Sequence, residues 1–308
     1  MITNEKMRFG FWPNPRSDYK STRILAQHAE TTGWDGIWLA DHFLPEEDAL
    51  IPVHESWITL AALARDIPRV RLGTLVTGNT YRHPAVLANM VATLDNLADG
   101  RVVLGLGAGW QQNEHDAYGI EYGTVSSRLD MLEEACQVLR GLFQNDYFNF
   151  DGQHYQLKNA PLEPKPQQAK IPLMIGGGEQ RTLRIAAQYA DEWNVWGDAQ
   201  ILRHKMNILD QHCESAGRDP HEIERSAVAL LFLSDNEKYL NKIRAAELAS
   251  PAIIGNVNEV IEIVSTLKEI GVKELIIPDF TLGTLIGADT VKQDLMEKFI
   301  TEVAAKIS

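Results

Sequence analysis

The stretch GIWLADHFLP, residues 36 to 45, runs apolar through Ala40 and then turns into Asp41 and His42 ahead of Pro45. Histidine has an ordinary pKa of about 6.5 and takes or gives a proton at neutral pH, so His42 beside a carboxylate at a strand end is a candidate acid or base. A pair that only caps the strand, with His42 bonded to a neighbouring carbonyl, fits the same position. Further on, IGGGEQRTLRIAAQYA sets Gly176, Gly177 and Gly178 before an amphipathic helix. The unpaired amides of such a helix start suit a phosphate, and Arg181 adds a charged donor; a turn that needs glycine for its dihedrals alone reads the same way. VVLGLGAGW has glycine at 105, 107 and 109, an alternation that either lets a ligand or another backbone come close to the strand or serves tight packing inside a barrel. No helix opens directly after it, so it is not a dinucleotide fingerprint. Trp12, Trp110 and Trp196 fall at predicted strand ends and together would wall a flat aromatic ligand, although packing accounts for each singly.

These residues share a place in the pattern of the chain. Short apolar segments alternate with amphipathic ones, as in strand-helix units around a parallel sheet. Strands are expected at MRFGFW, GIWLAD, VRLGTLVT, VVLGLGAG, IPLMIGG, DEWNVW, SAVALLFLS and ELIIPDF, with helices near residues 18–32, 55–66, 84–98, 124–143, 179–190, 199–216, 256–270 and 289–306. Eight units suggest a closed (β/α)8 TIM barrel, with a doubly wound open sheet as the alternative. A barrel needs about 250 residues, which leaves length for two insertions. One follows strand four, from Trp110 to about Gly123. The other precedes strand five, from about Asn145 to Lys170, where YFNFDGQHYQL reads as a hairpin around Asp151-Gly152. No linker divides the chain, so residues 1–308 are expected to form one domain. In a barrel the reactive groups gather at the carboxyl ends of the strands, where Asp41 and His42 stand.

Composition narrows the function. With 44% hydrophobic residues among 308, the chain can bury a sizeable core. A net charge of -13 and the lack of a lysine or arginine block argue against nucleic acid. No apolar run approaches the roughly 18 residues of a membrane span, and MITNEKMRFG has no leader character, so a cytoplasmic protein is expected. Of the two cysteines, Cys136 falls on the apolar face of a helix with Leu132 and Leu139, and Cys213 has no CxxC partner. The nine histidines show no metal-ligand spacing and strand one lacks an HxH pair, which disfavours metal-dependent hydrolysis.

GWDGIWLADHF, LGTLVTGNTYRHPAVLANMVATLDNLADGRVVLGLGAGWQQNEHDAYG, RLDMLEEACQVLRGLF and IPLMIGGGEQRTLRIAAQYADEWN, in that order, resemble the bacterial luciferase-like superfamily, and within it the oxidoreductases that use the deazaflavin F420. The likeness runs from the first strand to about residue 197 and returns at IIGNVNEVIEIVSTLKEIGVKELII. It implies a barrel with the cofactor at its carboxyl mouth. Asp41 would then contact the cofactor, His42 would handle the proton beside the reactive ring, and Leu75-Val76 would be a non-prolyl cis peptide bulging against it. The implied cofactor set is Asp41, Leu75, Val76, Gly109, Gly176, Gly177, Gly178 and Arg181. A substrate pocket would draw on Trp12, Trp110, Glu114, His115 and Trp196, with no metal. The family's sugar-phosphate dehydrogenases carry a catalytic glutamate where this chain has Trp110, so the resemblance does not extend to glucose 6-phosphate oxidation. The expected function is F420-dependent hydride transfer to or from a small organic molecule, with a separate cofactor reductase and an apolar outer helix face suited to a homodimer. An FMN-dependent, oxygen-consuming monooxygenase and a flavin-binding barrel without turnover are the alternatives.

Overall fold

The computed structural model describes residues 6–46, 48–248, 250–282 and 289–307. In chain order its elements are β1 (Arg8–Trp12), α1 (Tyr19–Thr32), β2 (Gly36–Leu39), α2 (Ser56–Asp66), β3 (Arg71–Thr74), β4 (Thr77–Gly78), α3 (Pro84–Leu97), β5 (Val102–Gly107), α4 (Gln112–Tyr118), α5 (Val125–Gln144), β6 (Tyr147–Asp151) and β7 (Gln156–Pro161). There follow β8 (Leu173–Gly176), α6 (Gln180–Tyr189), β9 (Glu192–Trp196), α7 (Ala199–Ser215), β10 (Glu224–Val228), β11 (Leu230–Leu233), α8 (Glu237–Arg244), β12 (Ala252–Gly255), α9 (Val257–Glu269), β13 (Val272–Pro278) and α10 (Asp289–Lys298).

Eight parallel strands close into a barrel in the order β1, β2, β3, β5, β8, β9, β10, β13, with β13 returning to β1. The open-sheet alternative is thereby excluded, since β3 pairs with both β2 and β5. Barrel strands such as GIWL and VVLGLG are buried at every position, as strands covered on both faces must be. Local chemistry sets the helix limits: Gly33 in the left-handed region ends α1, Pro84 opens α3, and Asn256 with Glu259 forms a capping box on α9.

Two apolar layers hold the architecture. The larger lies between the strands and the helices and includes Cys136 and Leu139 of α5. The smaller fills the barrel itself, with Trp38, Leu75, Val103, Met174, Val228 and Ile276. Trp38 occupies the space that side chains at Gly10 and Gly73 would need; a Cβ there would lie 2.5 Å and 2.6 Å from the indole. Beneath it, at the amino end of the barrel, the Trp38 Nε1–H donates to Glu274 at 2.9 Å. Glu274 also pairs with Arg8 at 3.4 Å and Arg71 at 2.6 Å; Arg71 reaches on to Glu192 and Arg8 to Glu224.

The structure departs from the sequence expectations at several places, among them α8 and β12, where no element is expected, and the expected third strand, which is broken into β3 and β4. Strand seven, expected as one run over 226–234, breaks after Val228: β10 stays in the barrel, while β11 leaves it to pair with β12 in a separate two-stranded sheet. Every residue from Ala227 to Leu233 is apolar, so periodicity cannot mark the break. The insertion after strand four contains α4. The last helix is regular only to Lys298, continuing as a π turn and a short 3-10 turn. The hairpin forms as expected from β6 and β7, its tip held by the Glu134 carboxylate of α5, which accepts the N–H groups of Gln153, His154 and Tyr155.

Candidate active site

A cleft of about 580 Å³ opens at the carboxyl ends of the barrel strands. His42 lies on its wall, three residues beyond the end of β2, with 23% of its side chain exposed. Its Nδ1 lies 3.1 Å from Oε2 of Glu114. Glu114, in the first turn of α4, is completely buried and accepts three further hydrogen bonds, from the Tyr81 hydroxyl and from the backbone N–H groups of Phe43 and Leu44. Burial opposes its ionisation, but the bonds from His42, Tyr81, Leu44 and Phe43 outweigh it and hold the carboxyl below the usual range. An ionised Glu114 only accepts, so Nδ1 of His42 carries a proton. Nε2 is then the unprotonated ring nitrogen, and it has no hydrogen-bond partner among the described residues, while the residue lines the cleft. Burial also drives the Tyr81 hydroxyl up, reinforced by its bond to Glu114, so Tyr81 remains a donor.

Asp41 is buried behind His42. Its carboxylate accepts from Ser56 Oγ at 2.8 Å and from both terminal nitrogens of Arg82, at 2.6 and 3.1 Å; Arg82 also binds Glu55. Burial pushes the Asp41 carboxyl up, against the opposing pull of Arg82 and Ser56. The group is therefore committed to α2 and to the segment after β4, although the residue lines the cleft.

Leu75-Val76 is a cis peptide between β3 and β4, as the resemblance implied. The glycines of β5 meet this segment. A Cβ on Gly105 would lie 1.9 Å from the Thr74 carbonyl oxygen, one on Gly107 2.7 Å from Val76 Cγ2, and one on Gly109 2.8 Å from Thr80 Oγ1. Gly105 leaves room for the backbone of the neighbouring segment and Gly107 and Gly109 for its side chains, so the alternation here serves close packing, while Gly107 and Gly109 also line the cleft. Gly176, from β8, closes the same pocket around Val76; a Cβ on it would lie 2.9 Å from Cγ1.

The walls are aromatic. Trp12 stands 5.9 Å from Trp196 and 5.2 Å from Phe280, ring centre to ring centre. Across the cleft Trp110, 59% exposed, meets the His42 ring nearly edge-on at 5.4 Å. At the glycine turn Gly177 has φ +124° and its N–H is bonded to Asn194. Glu179 starts α6 without a side-chain cap, which leaves the first-turn amides of α6 without one.

Several expected residues sit elsewhere. Arg181 turns away from the cleft and pairs with Asp130 and Ser126 of α5, because the first turn of α6 packs against that helix. The cation beside the turn is Lys205 of α7, whose Cδ and Cε would lie 3.4 Å from a Cβ on Gly178. Glu114 and His115 do not line the pocket; His115 is buried, bonded to Thr80 and to the Gln111 carbonyl. Sequence reasoning did not single out Tyr81, Arg82, Ser56 or Lys205. A signal for Arg82 was present, since a carboxylate ending a buried strand needs a cation and TYRHP supplies one.

The luciferase-like monooxygenase family model matches residues 6–253. An F420-dependent glucose-6-phosphate dehydrogenase of Amycolatopsis mediterranei is 31% identical over 226 residues, covering 71% of this chain and 67% of that protein. An F420-dependent hydroxymycolic acid dehydrogenase of Mycobacterium tuberculosis is 30% identical, with coverage of 75% and 63%. Among solved structures, an F420-dependent secondary alcohol dehydrogenase in complex with an F420-acetone adduct superposes with a TM-score of 0.85 over 99% of this chain and 100% of that one, at 21% identity.

Proposed function

We propose that this chain, a member of the luciferase-like monooxygenase family, is an F420-dependent oxidoreductase that moves a hydride between the deazaflavin and a small organic substrate, with His42 handling the proton. The names of its relatives support the cofactor. One observation carries the reading: His42 lines the cleft while its Nδ1 is held at 3.1 Å by a fully buried Glu114.

The residues present fit the group. Val76, accommodated only because Gly107 and Gly176 lack side chains, gives a flat ring an apolar surface to rest on. The uncapped start of α6, the glycine turn and Lys205 supply the donors that a phosphate-bearing tail needs. F420, when bound, supplies a two-electron hydride carrier. The protein's part is to exclude water with Trp12, Trp110 and Trp196, to orient the substrate, and to hold or release one proton at Nε2. Glu114 fixes the tautomer that makes this possible.

Parallel titration of the purified protein with F420 and with FMN, followed by tryptophan fluorescence, tests the cofactor. Micromolar binding of F420 with much weaker FMN binding is expected, and preference for FMN would favour oxygen-dependent chemistry. His42→Ala should lower turnover by about 10²–10⁴-fold on the most active alcohol of a panel, with F420 affinity within about threefold of wild type. Unchanged turnover would remove His42 from the reaction. The same reading includes a separate cofactor reductase and a homodimer built on outer helices, the latter open to sedimentation.

A further inference from the structure

The third barrel strand is interrupted where it reaches the cleft. Gly73 of β3 pairs with Val103 of β5 and Thr77 of β4 pairs with Leu106, so the β3–β4 side carries one residue more than the strand it faces. Such a bulge re-aims the side chains beside it and gives up part of the backbone ladder. Leu75 and Val76, inside it, line the cleft. The residues on either side of them, Thr74 and Thr77, are completely buried, and their side chains meet across the bulge. The Thr77 hydroxyl donates to Thr74 Oγ1 at 2.9 Å, and the Thr74 hydroxyl donates to the Gly105 carbonyl of β5 at 2.9 Å. From the other side buried Trp57, in the first turn of α2, donates its Nε1–H to Thr77 Oγ1 at 3.2 Å. An indole N–H only donates and a carbonyl only accepts, so the two ends fix the direction of every bond between them.

We propose that this row of hydrogen bonds sets the position of Val76 in the cleft, and that Trp57 and Thr77 are thereby positioning residues for the cofactor. This rests on the proposed F420-dependent function. Where ladder bonds are missing, side chains must hold the backbone, and here two hydroxyls tie the bulge to β5 on one side and to α2 on the other. Without the Thr77 hydroxyl, Trp57 would keep a buried N–H with no acceptor and Thr74 would lose its donor, a cost that the segment relieves by shifting. Val76 would shift with it, and a supporting surface displaced by about 1 Å loses much of its complementarity to a rigid ring. The same turn of α2 holds the opposite wall: Ser56 donates to Asp41 at 2.8 Å and Glu55 binds Arg82. Three consecutive residues thus fix the spacing between the end of β2 and the bulge.

The test measures F420 binding by calorimetry and urea unfolding of the unliganded protein for Thr77→Val, Thr77→Ser, Trp57→Phe and Val264→Ala. Thr77→Val keeps the shape without the hydroxyl and should weaken F420 binding about 10-fold, whereas Thr77→Ser keeps the hydroxyl and should stay within about threefold of wild type. Val264 is buried in α9, outside the residues lining the cleft; Val264→Ala should lower the urea midpoint and leave F420 affinity unchanged, the outcome that a purely structural Thr77 would also give. If Thr77→Val does not fold, Trp57→Phe carries the comparison, with a loss of about threefold or more expected. A crystal structure of the unliganded variant, Thr77→Val or in its place Trp57→Phe, should show Val76 moved by about 0.5 Å or more against Gly107 and Gly176. Wild-type affinity in the folded variant, equal losses in Thr77→Val and Thr77→Ser, or an unmoved Val76 would overturn the proposal. If the wild type does not bind F420, the cofactor reading fails, and the position of Val76 in that structure still decides the role of the hydroxyl row.

Discussion

Glu114 determines what His42 can do. A lone histidine at a strand end has two interchangeable ring nitrogens; one bonded to a buried carboxylate has a defined proton on Nδ1, which leaves Nε2 open for the proposed proton transfer. Glu114→Gln keeps the size but removes the charge and turns an amide group toward donors. Turnover should fall about 100-fold, with F420 affinity and KM within about threefold, measured as pre-steady-state cofactor reduction. The sign of the pH effect follows from the lowered carboxyl pKa. The bond network is complete above the ordinary carboxylate range and is lost as pH falls through the folded-state value, so the wild-type rate has an acid limb that the variant lacks. At this scale the sequence showed the residues that interrupt a pattern: Asp41 and His42 after an apolar run, glycines in a strand, tryptophans at strand ends. It did not show Glu114 as the partner of His42, because that pairing depends on which way a seven-residue helix in an insertion turns its first turn.

The β3–β4 segment and β5 are fitted to one another as elements. Gly105 and Gly107 of β5 and Gly109 just beyond it receive Thr74, Val76 and Thr80 of the neighbouring segment, so the shape of the cofactor pocket is set by packing before any ligand arrives. Gly105→Ala places a methyl against a backbone carbonyl that cannot swing aside. It should cost about 1–3 kcal/mol of stability, read as a lower urea midpoint, and should weaken F420 binding through the displaced Val76. All eight barrel strands were legible because each is a short apolar run between turn signals and amphipathic helices. The departure of β11 was not, since a strand that leaves one sheet for another keeps the same apolar composition, and only its pairing with β12 distinguishes it.

Across the whole molecule, the base of the barrel balances the mouth. Burial pushes the Glu192 carboxyl up to about 7, opposed by Arg71 and reinforced by Glu274. Its folded-state pKa therefore lies above its unfolded one, and the fold favours the protonated form. Stability from this group is full below the ordinary carboxylate range and is lost as pH rises through about 7. The amount lost is about 3 kcal/mol, from roughly 1.4 kcal/mol for each unit of displacement. Glu192→Gln should remove that dependence, so that urea unfolding at pH 8 finds the variant closer to wild type at pH 6 than wild type itself. The sequence carried no sign of this network, whose members Arg8, Arg71, Glu192, Glu224 and Glu274 are scattered along the chain and meet only because each begins a barrel strand or lies near its start. The contact between Arg8 and Glu274 spans 266 residues, and it lies on the seam where β1 and β13 complete the ring. A seam between the first and last strands is the most expensive loop to close. Until it closes, both strands present bare hydrogen-bonding edges to whatever is nearby, including the same edges of another molecule. Recovery of this protein from denaturant is thus a contest between ring closure and intermolecular pairing, in which dilution favours the ring.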